Sequence, residues 1–216
     1  MAALNYTKIY ALQDKVLAAI SSAGTTFYLT GGTCLNRFYY YNRRYSNDLD
    51  LFTSENTLFR DDVRMVLDAL ASASLSYVVQ VDTRDFVRLA IPGELQVDLV
   101  NDRVYRYGRS IHSPSGILLD NELNICANKL CAIIGRDDPK DMFDLYTLFK
   151  KGKLDWNTAA VAATKKCVLD PEVLEYRLSS FPLELLDLLA VVDPATVSEM
   201  KQGYQDMLEH ILNLMP

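Results

Sequence analysis

The chain has 216 residues, half of them hydrophobic, with four cysteines, two histidines and a formal net charge of −6. That length buries a sizeable core in one domain or two small ones. No apolar run is long enough for a membrane-spanning helix, the acidity argues against a protein that coats nucleic acid non-specifically, and Cys34, Cys126, Cys131 and Cys167 form no CxxC pair, so they read as reduced buried thiols rather than zinc ligands.

The start, Met1-Ala2-Ala3-Leu4-Asn5-Tyr6, has neither the basic nor the apolar region of a secretory leader, and a cytoplasmic location is the expectation. Residues 4–22 have the spacing of an amphipathic helix, with Ile9, Leu12, Val16, Leu17 and Ile20 on one side and Gly24 as its stop. A short strand over 26–30 runs into Gly31-Gly32. A helix over 32–41 follows, with Phe38, Tyr39 and Tyr40 near its end, then a strand over 48–53 and a helix over 57–73. Strands are expected at 75–81, 86–91 and 95–100, the last two joined by a Pro92-Gly93 hairpin turn. Residues 102–116 read as a linker. Beyond it the pattern is helical, over 121–134, 139–150, 156–166, 171–179 and 196–214.

One segment offers both a phosphate cradle and a metal site. Asp48 and Asp50 lie two apart on a strand, so their side chains share a face. Two converging carboxylates repel unless a cation sits between them, and Mg²⁺ or Mn²⁺ suits a hard oxygen site completed by substrate phosphates. The glycines at 31 and 32 let the backbone approach a phosphate at the start of the next helix. Asp98 stands opposite in phase to Leu95, Val97 and Leu99 on its own strand. It reads equally as a third metal carboxylate and as a solubilising charge on an edge strand.

A second constellation lies in the helical part. Lys129 sits among Ile125, Cys126, Leu130, Ile133 and Ile134, where a lysine either snorkels or meets an anion. Asp141 and Asp144, three apart, share a helix face. Asp137 or Asp138 ahead of Pro139 reads as an N-cap. Arg136 and Lys140 either contact phosphate or neutralise the acidic cluster. The basic groups Arg37/Arg43/Arg44, Arg103/Arg106/Arg109 and Lys150/Lys151/Lys153 read singly as solvated faces. The two arginine groups are nonetheless the nearest candidates for a basic rim if the acceptor is RNA.

The order GGTxL, SxDLDLF, VDLV and then KL…RxxPKDxxDLY resembles the AbiEii/AbiGii-type nucleotidyltransferase family, whose members include toxins of toxin–antitoxin and phage-defence systems such as the MenT group, within the DNA-polymerase-beta-like superfamily. The resemblance runs over residues 27–149. It implies an α+β fold: a mixed sheet flanked by helices in a catalytic lobe over 1–116, then a helical lobe over 117–216. It implies transfer of a nucleotidyl group from an NTP with Mg²⁺. Gly31, Gly32 and Thr33 would hold the triphosphate, Asp48 and Asp50 the metal, with Asp98 in the superfamily's third-carboxylate place. Lys129 would contact nucleotide phosphate and Asp141 would take the place of the family's acidic residue, with Arg136 beside them. The expected partners are an NTP, an RNA acceptor such as tRNA, and a cognate antitoxin. The rival expectations are a small-molecule or protein acceptor, and a nucleotide-binding module without turnover. Thr33 and Cys34 stand where serine and alanine are common in relatives.

Overall fold

The computed structural model describes residues 5–41, 43–55, 57–151 and 153–214. The first four residues, on which the leader reading rests in part, lie outside that range. The chain forms two compact units. The first comprises residues 1–34, 46–104 and 110–120, the second residues 35–45, 105–109 and 121–216. The chain therefore passes between units several times, where the sequence reading draws a single boundary after residue 116.

The first unit is built on a seven-stranded mixed sheet. Its strands are β1 (Tyr28–Thr30), β2 (Asp48–Thr53), β3 (Val78–Asp82), β4 (Phe86–Ile91), β5 (Leu95–Asn101), β6 (Ile111–His112) and β7 (Leu118–Leu119), in the order β3-β4-β5-β2-β1-β7-β6. β2 pairs in parallel with β5, and β1 with β7; the other neighbours are antiparallel. Helices α1 (Tyr6–Ser22) and α3 (Phe59–Ser72) pack on each other. Asn5 caps α1 by accepting from the Lys8 N–H. In β2, Leu49, Leu51 and Thr53 are buried while Asp48, Asp50 and Phe52 are half-buried, so alternation assigns the carboxylates to one face and the leucines to the core.

The residues read as a linker contain β6, which forms a hairpin with β7 just beyond them. Strands of two residues carry no periodicity, so pattern alone does not reveal them. β1 likewise runs directly into a helix: α2 (Gly31–Thr33) is continued over Cys34–Tyr39 as a π-helix, where the Tyr40 N–H reaches back five residues to the Leu35 carbonyl.

The second unit is helical, with α4 (Glu122–Gly135), α5 (Pro139–Lys151), α6 (Trp156–Lys166), α7 (Pro171–Ser179) and α8 (Ala195–Leu212), plus a 3₁₀ turn at Leu183–Leu188 that no local pattern signals. Asn121 caps α4, Asp155 caps α6 and Asp170 caps α7. At α5, Asp138 is the capping residue, accepting from the Lys140 N–H, whereas Asp137 pairs with Arg177. Leu130, Ile133, Met142, Leu145, Leu174, Met200 and Met207 make its core. No helix among the described residues is long and apolar enough to cross a membrane. The net charge of −6 lies wholly in the first unit, because acidic and basic residues cancel in the second.

Candidate active site

The sequence-predicted residues fall into two sets, one in each unit. In the first unit a single register row crosses four strands: Thr30 on β1, Asp50 on β2, Asp98 on β5 and Arg88 on β4. The next row places Asp48 beside Gln96. Residues side by side in register project to one face, so three carboxylates and a guanidinium share a small area.

Gly31 follows Thr30 directly and has φ +68°. A Cβ there would lie 3.3 Å from the Asp50 Cγ and closer still to Oδ2. Glycine is thus required twice over, by the left-handed backbone and by the carboxylate packed against it. Thr33 is buried, and its hydroxyl bonds to the Ser46 hydroxyl and the Asp48 carbonyl. Ser46 is tied to α1 by the Tyr10 hydroxyl and the Gln13 amide. These bonds fix the entry of β2, so the fully buried Thr33 orients the Asp48 end of the strand. Thr30 donates to the buried Asp120 at 2.8 Å, a carboxylate that the sequence reading passes over.

Asp98 does not stand on an edge strand, since β5 lies between β4 and β2. It is buried, and Arg88 binds it in fork fashion: Nε donates to Oδ1 and Nη2 to Oδ2, each at 2.8 Å. Gln96 adds a bond to Oδ2 at 3.3 Å. Hydrogen bonding to Asp98 raises the Arg88 pKa, with smaller contributions from the charges of Asp98, Asp48 and Asp50. Arg88 was legible in principle. A hairpin turning at Pro92-Gly93 that pairs Ile91 with Leu95 brings Arg88 opposite Asp98 three residues further along.

Among the described residues, no group of three or more His, Cys, Asp or Glu side chains is gathered to hold a metal ion. The donors that fit a hard divalent cation are the two carboxylates Asp48 and Asp50 on their common face. A cation there would take its remaining oxygens from nucleotide phosphate and water.

In the second unit, Lys129 does not snorkel. Its ammonium is buried and bonds Asp141 Oδ1 and Asp144 Oδ2, each at 2.7 Å. Asp144, fully buried, also accepts from Arg44 Nε at 2.8 Å, Arg44 Nη2 at 2.7 Å and the Asn36 amide at 3.0 Å. Arg136 binds Asp141 Oδ2 at 2.7 Å while its side chain stays 60% exposed. Three cations thus surround two carboxylates. Burial would lower the Lys129 pKa, but the charges of Asp144 and Asp141 outweigh it and hold the ammonium above its usual value. Burial would likewise raise Asp144, but Arg44 and Lys129 together hold it well below the carboxylate range.

This cluster removes Arg44 from the expected basic rim. Arg44 is 3% exposed and committed to Asp144, and Arg43 pairs with Glu199 at 3.3 Å. The pairing with Asp144 joins residues a hundred positions apart, beyond the reach of any local pattern.

Residues 15–216 match a family model described as nucleotidyl transferase AbiEii toxin, type IV TA system. Among solved structures, the chain is similar to MenT4, a nucleotidyltransferase toxin from Mycobacterium tuberculosis, with a TM-score of 0.64 at 14% identity, covering 97% of this chain and 88% of that one. It is also similar to JHP933 from Helicobacter pylori, with a TM-score of 0.60 at 19% identity, covering 99% and 96%. At these identities the likeness speaks to the fold. No curated protein sequence matches.

Proposed function

Because the chain belongs to the AbiEii nucleotidyltransferase toxin family, we propose that it moves a nucleotidyl group from an NTP to a hydroxyl of RNA, with tRNA the first acceptor to test, in the cytoplasm and under the control of a cognate antitoxin. The observation that carries this reading is the pairing of Asp48 and Asp50 on one sheet face with the Gly31 turn packed against Asp50. Asp48 and Asp50 would hold Mg²⁺ or Mn²⁺, which when bound polarises the α-phosphate and lowers the pKa of the acceptor hydroxyl.

The chain's own groups do the rest. Gly31 leaves room for Asp50 and turns the chain into a helix start, where main-chain N–H groups of Gly32 and Thr33 favour a triphosphate. Ser46 and the Thr33 hydroxyl hold the Asp48 end of β2 in place. Lys129 and Arg136 supply positive charge for nucleotide phosphate, and Asp141, bonded to both, orients them.

The burial of Arg44 favours a second reading, in which the acceptor is a small molecule or a protein hydroxyl rather than RNA. Incubation with each α-³²P-labelled NTP and total RNA, tRNA or protein extract separates the two. Label in tRNA that disappears in Asp48→Asn and Asp50→Asn supports the first reading. Label confined to protein or small molecules establishes the second. Calorimetry of the same variants should show Mn²⁺ binding lost with the fold intact; retained binding in the double variant would remove Asp48 and Asp50 from the metal site.

A further inference from the structure

The row Asp50–Asp98–Arg88 has a consequence for how many metal ions the site takes. Asp98 would complete a two-metal site only if its oxygens were open to a cation. Both are instead engaged by one guanidinium, through Nε and Nη2 at 2.8 Å, and Gln96 adds a further bond. The arrangement is built rather than incidental. Arg88 and Asp98 are register partners on adjacent antiparallel strands, and the Arg88 guanidinium also lies 5.3 Å from the centre of the Phe86 ring, which limits its freedom.

Charge balance points the same way. Three carboxylates share the face. One guanidinium and one divalent ion neutralise them, and a second divalent ion at Asp98 would exceed that balance.

Resting on the reading that Asp48 and Asp50 hold a divalent ion, we propose that Arg88 takes the place of a second ion at Asp98. The site then holds one divalent cation per bound nucleotide. Asp98 is a positioning residue that aims Arg88 along the sheet, and Nη1, which Asp98 does not use, is left to meet a phosphate oxygen of the substrate.

The test counts metal ions. Free Mn²⁺ is followed by electron paramagnetic resonance during titration of the full chain with each of the four α,β-methylene NTPs, which chelate metal but do not react. The expected result is one Mn²⁺ per chain in the wild type, two in Arg88→Met, where Asp98 is released, and one again in Arg88→Met/Asp98→Asn. Two ions in the wild type, or one in a folded Arg88→Met, overturns the proposal. Should Arg88→Met fail to fold by circular dichroism, the wild-type count still decides. No Mn²⁺ at all in the wild type would instead overturn the assignment of Asp48 and Asp50 on which the proposal stands.

Discussion

The substitution Asp144→Asn isolates the energetics of the second unit's ion cluster. Asp144 is fully buried and accepts two bonds from Arg44, one from Lys129 and one from Asn36. An amide in its place turns one acceptor into a donor that faces other donors, and leaves the buried Arg44 and Lys129 with a single carboxylate, Asp141. Removing one partner of a buried ion pair costs about 3–5 kcal/mol, or roughly 6–20 °C in Tm for a chain of this size. Lys129→Met should cost much less, under about 2 kcal/mol, because Asp144 keeps the Arg44 fork and Asp141 keeps Arg136, so no buried carboxylate is orphaned. The order of the two effects is therefore set by which variant strands a charge.

The pH dependence has a definite sign. Asp144 is held below its unfolded value by Arg44 and Lys129 against the opposing effect of burial. Its contribution is complete above the unfolded pKa, about 3.9, and is lost as the pH falls through and below that value. The gap between wild type and Asp144→Asn should be widest near neutrality and shrink below about pH 4. Urea unfolding from pH 7 down to pH 3, followed by fluorescence, reads this unit directly, since Trp156 on α6 is the only tryptophan and is buried. A loss under about 1 kcal/mol for Asp144→Asn, an equal loss in Lys129→Met, or a gap that does not change with pH would each refute the reasoning.

Gly31→Ala should lower both stability and Mn²⁺ affinity, and Asp50→Ala in the same chain should recover part of the stability by removing the contact while the left-handed φ keeps the rest of the penalty. Thermal melts of the two variants check it, and no recovery would mean that the backbone alone sets the cost. Lys129→Met should abolish nucleotidyl transfer while melting close to wild type; full activity would take Lys129 out of the reaction. Arg44→Ala should destabilise the second unit in the same urea assay, and a variant as stable as wild type would contradict the buried pairing with Asp144. Cys131 and Cys167, half-buried with sulfurs 2.7 Å apart, should lose both thiols together to oxidised glutathione, each giving up one electron and one proton to the reagent. Mass spectrometry should then find glutathione attached to the remaining thiol in Cys131→Ser but not in the wild type.

Much of the first unit was legible because its signals are local. Alternation alone places β2 and its two carboxylates, and β4 follows from Val87, Leu89 and Ile91. What escaped depends on pairing. Ile111 and His112 form a strand only because Leu118 and Leu119 return beside them. Arg44 looks like a surface arginine until Asp144 faces it. Asp98 stayed open between a metal carboxylate and an edge charge because the parallel pairing of β2 with β5 is set by tertiary packing, not by any turn. The π-helix at Cys34–Tyr39 has the composition of an ordinary helix, so no local pattern distinguishes it.

The uneven division of charge bears on how fast the protein meets its substrate. The first unit carries the entire −6, so a free nucleotide, itself highly anionic, approaches it against a repulsive potential rather than down an attractive one. Encounter is slowed at low ionic strength and quickened as salt shortens the range of that repulsion. This is the reverse of the salt response of an electrostatically steered enzyme. It also ranks the incoming species: a nucleotide already complexed with a divalent cation carries less negative charge, and reaches the sheet face more often than the bare triphosphate at the same concentration.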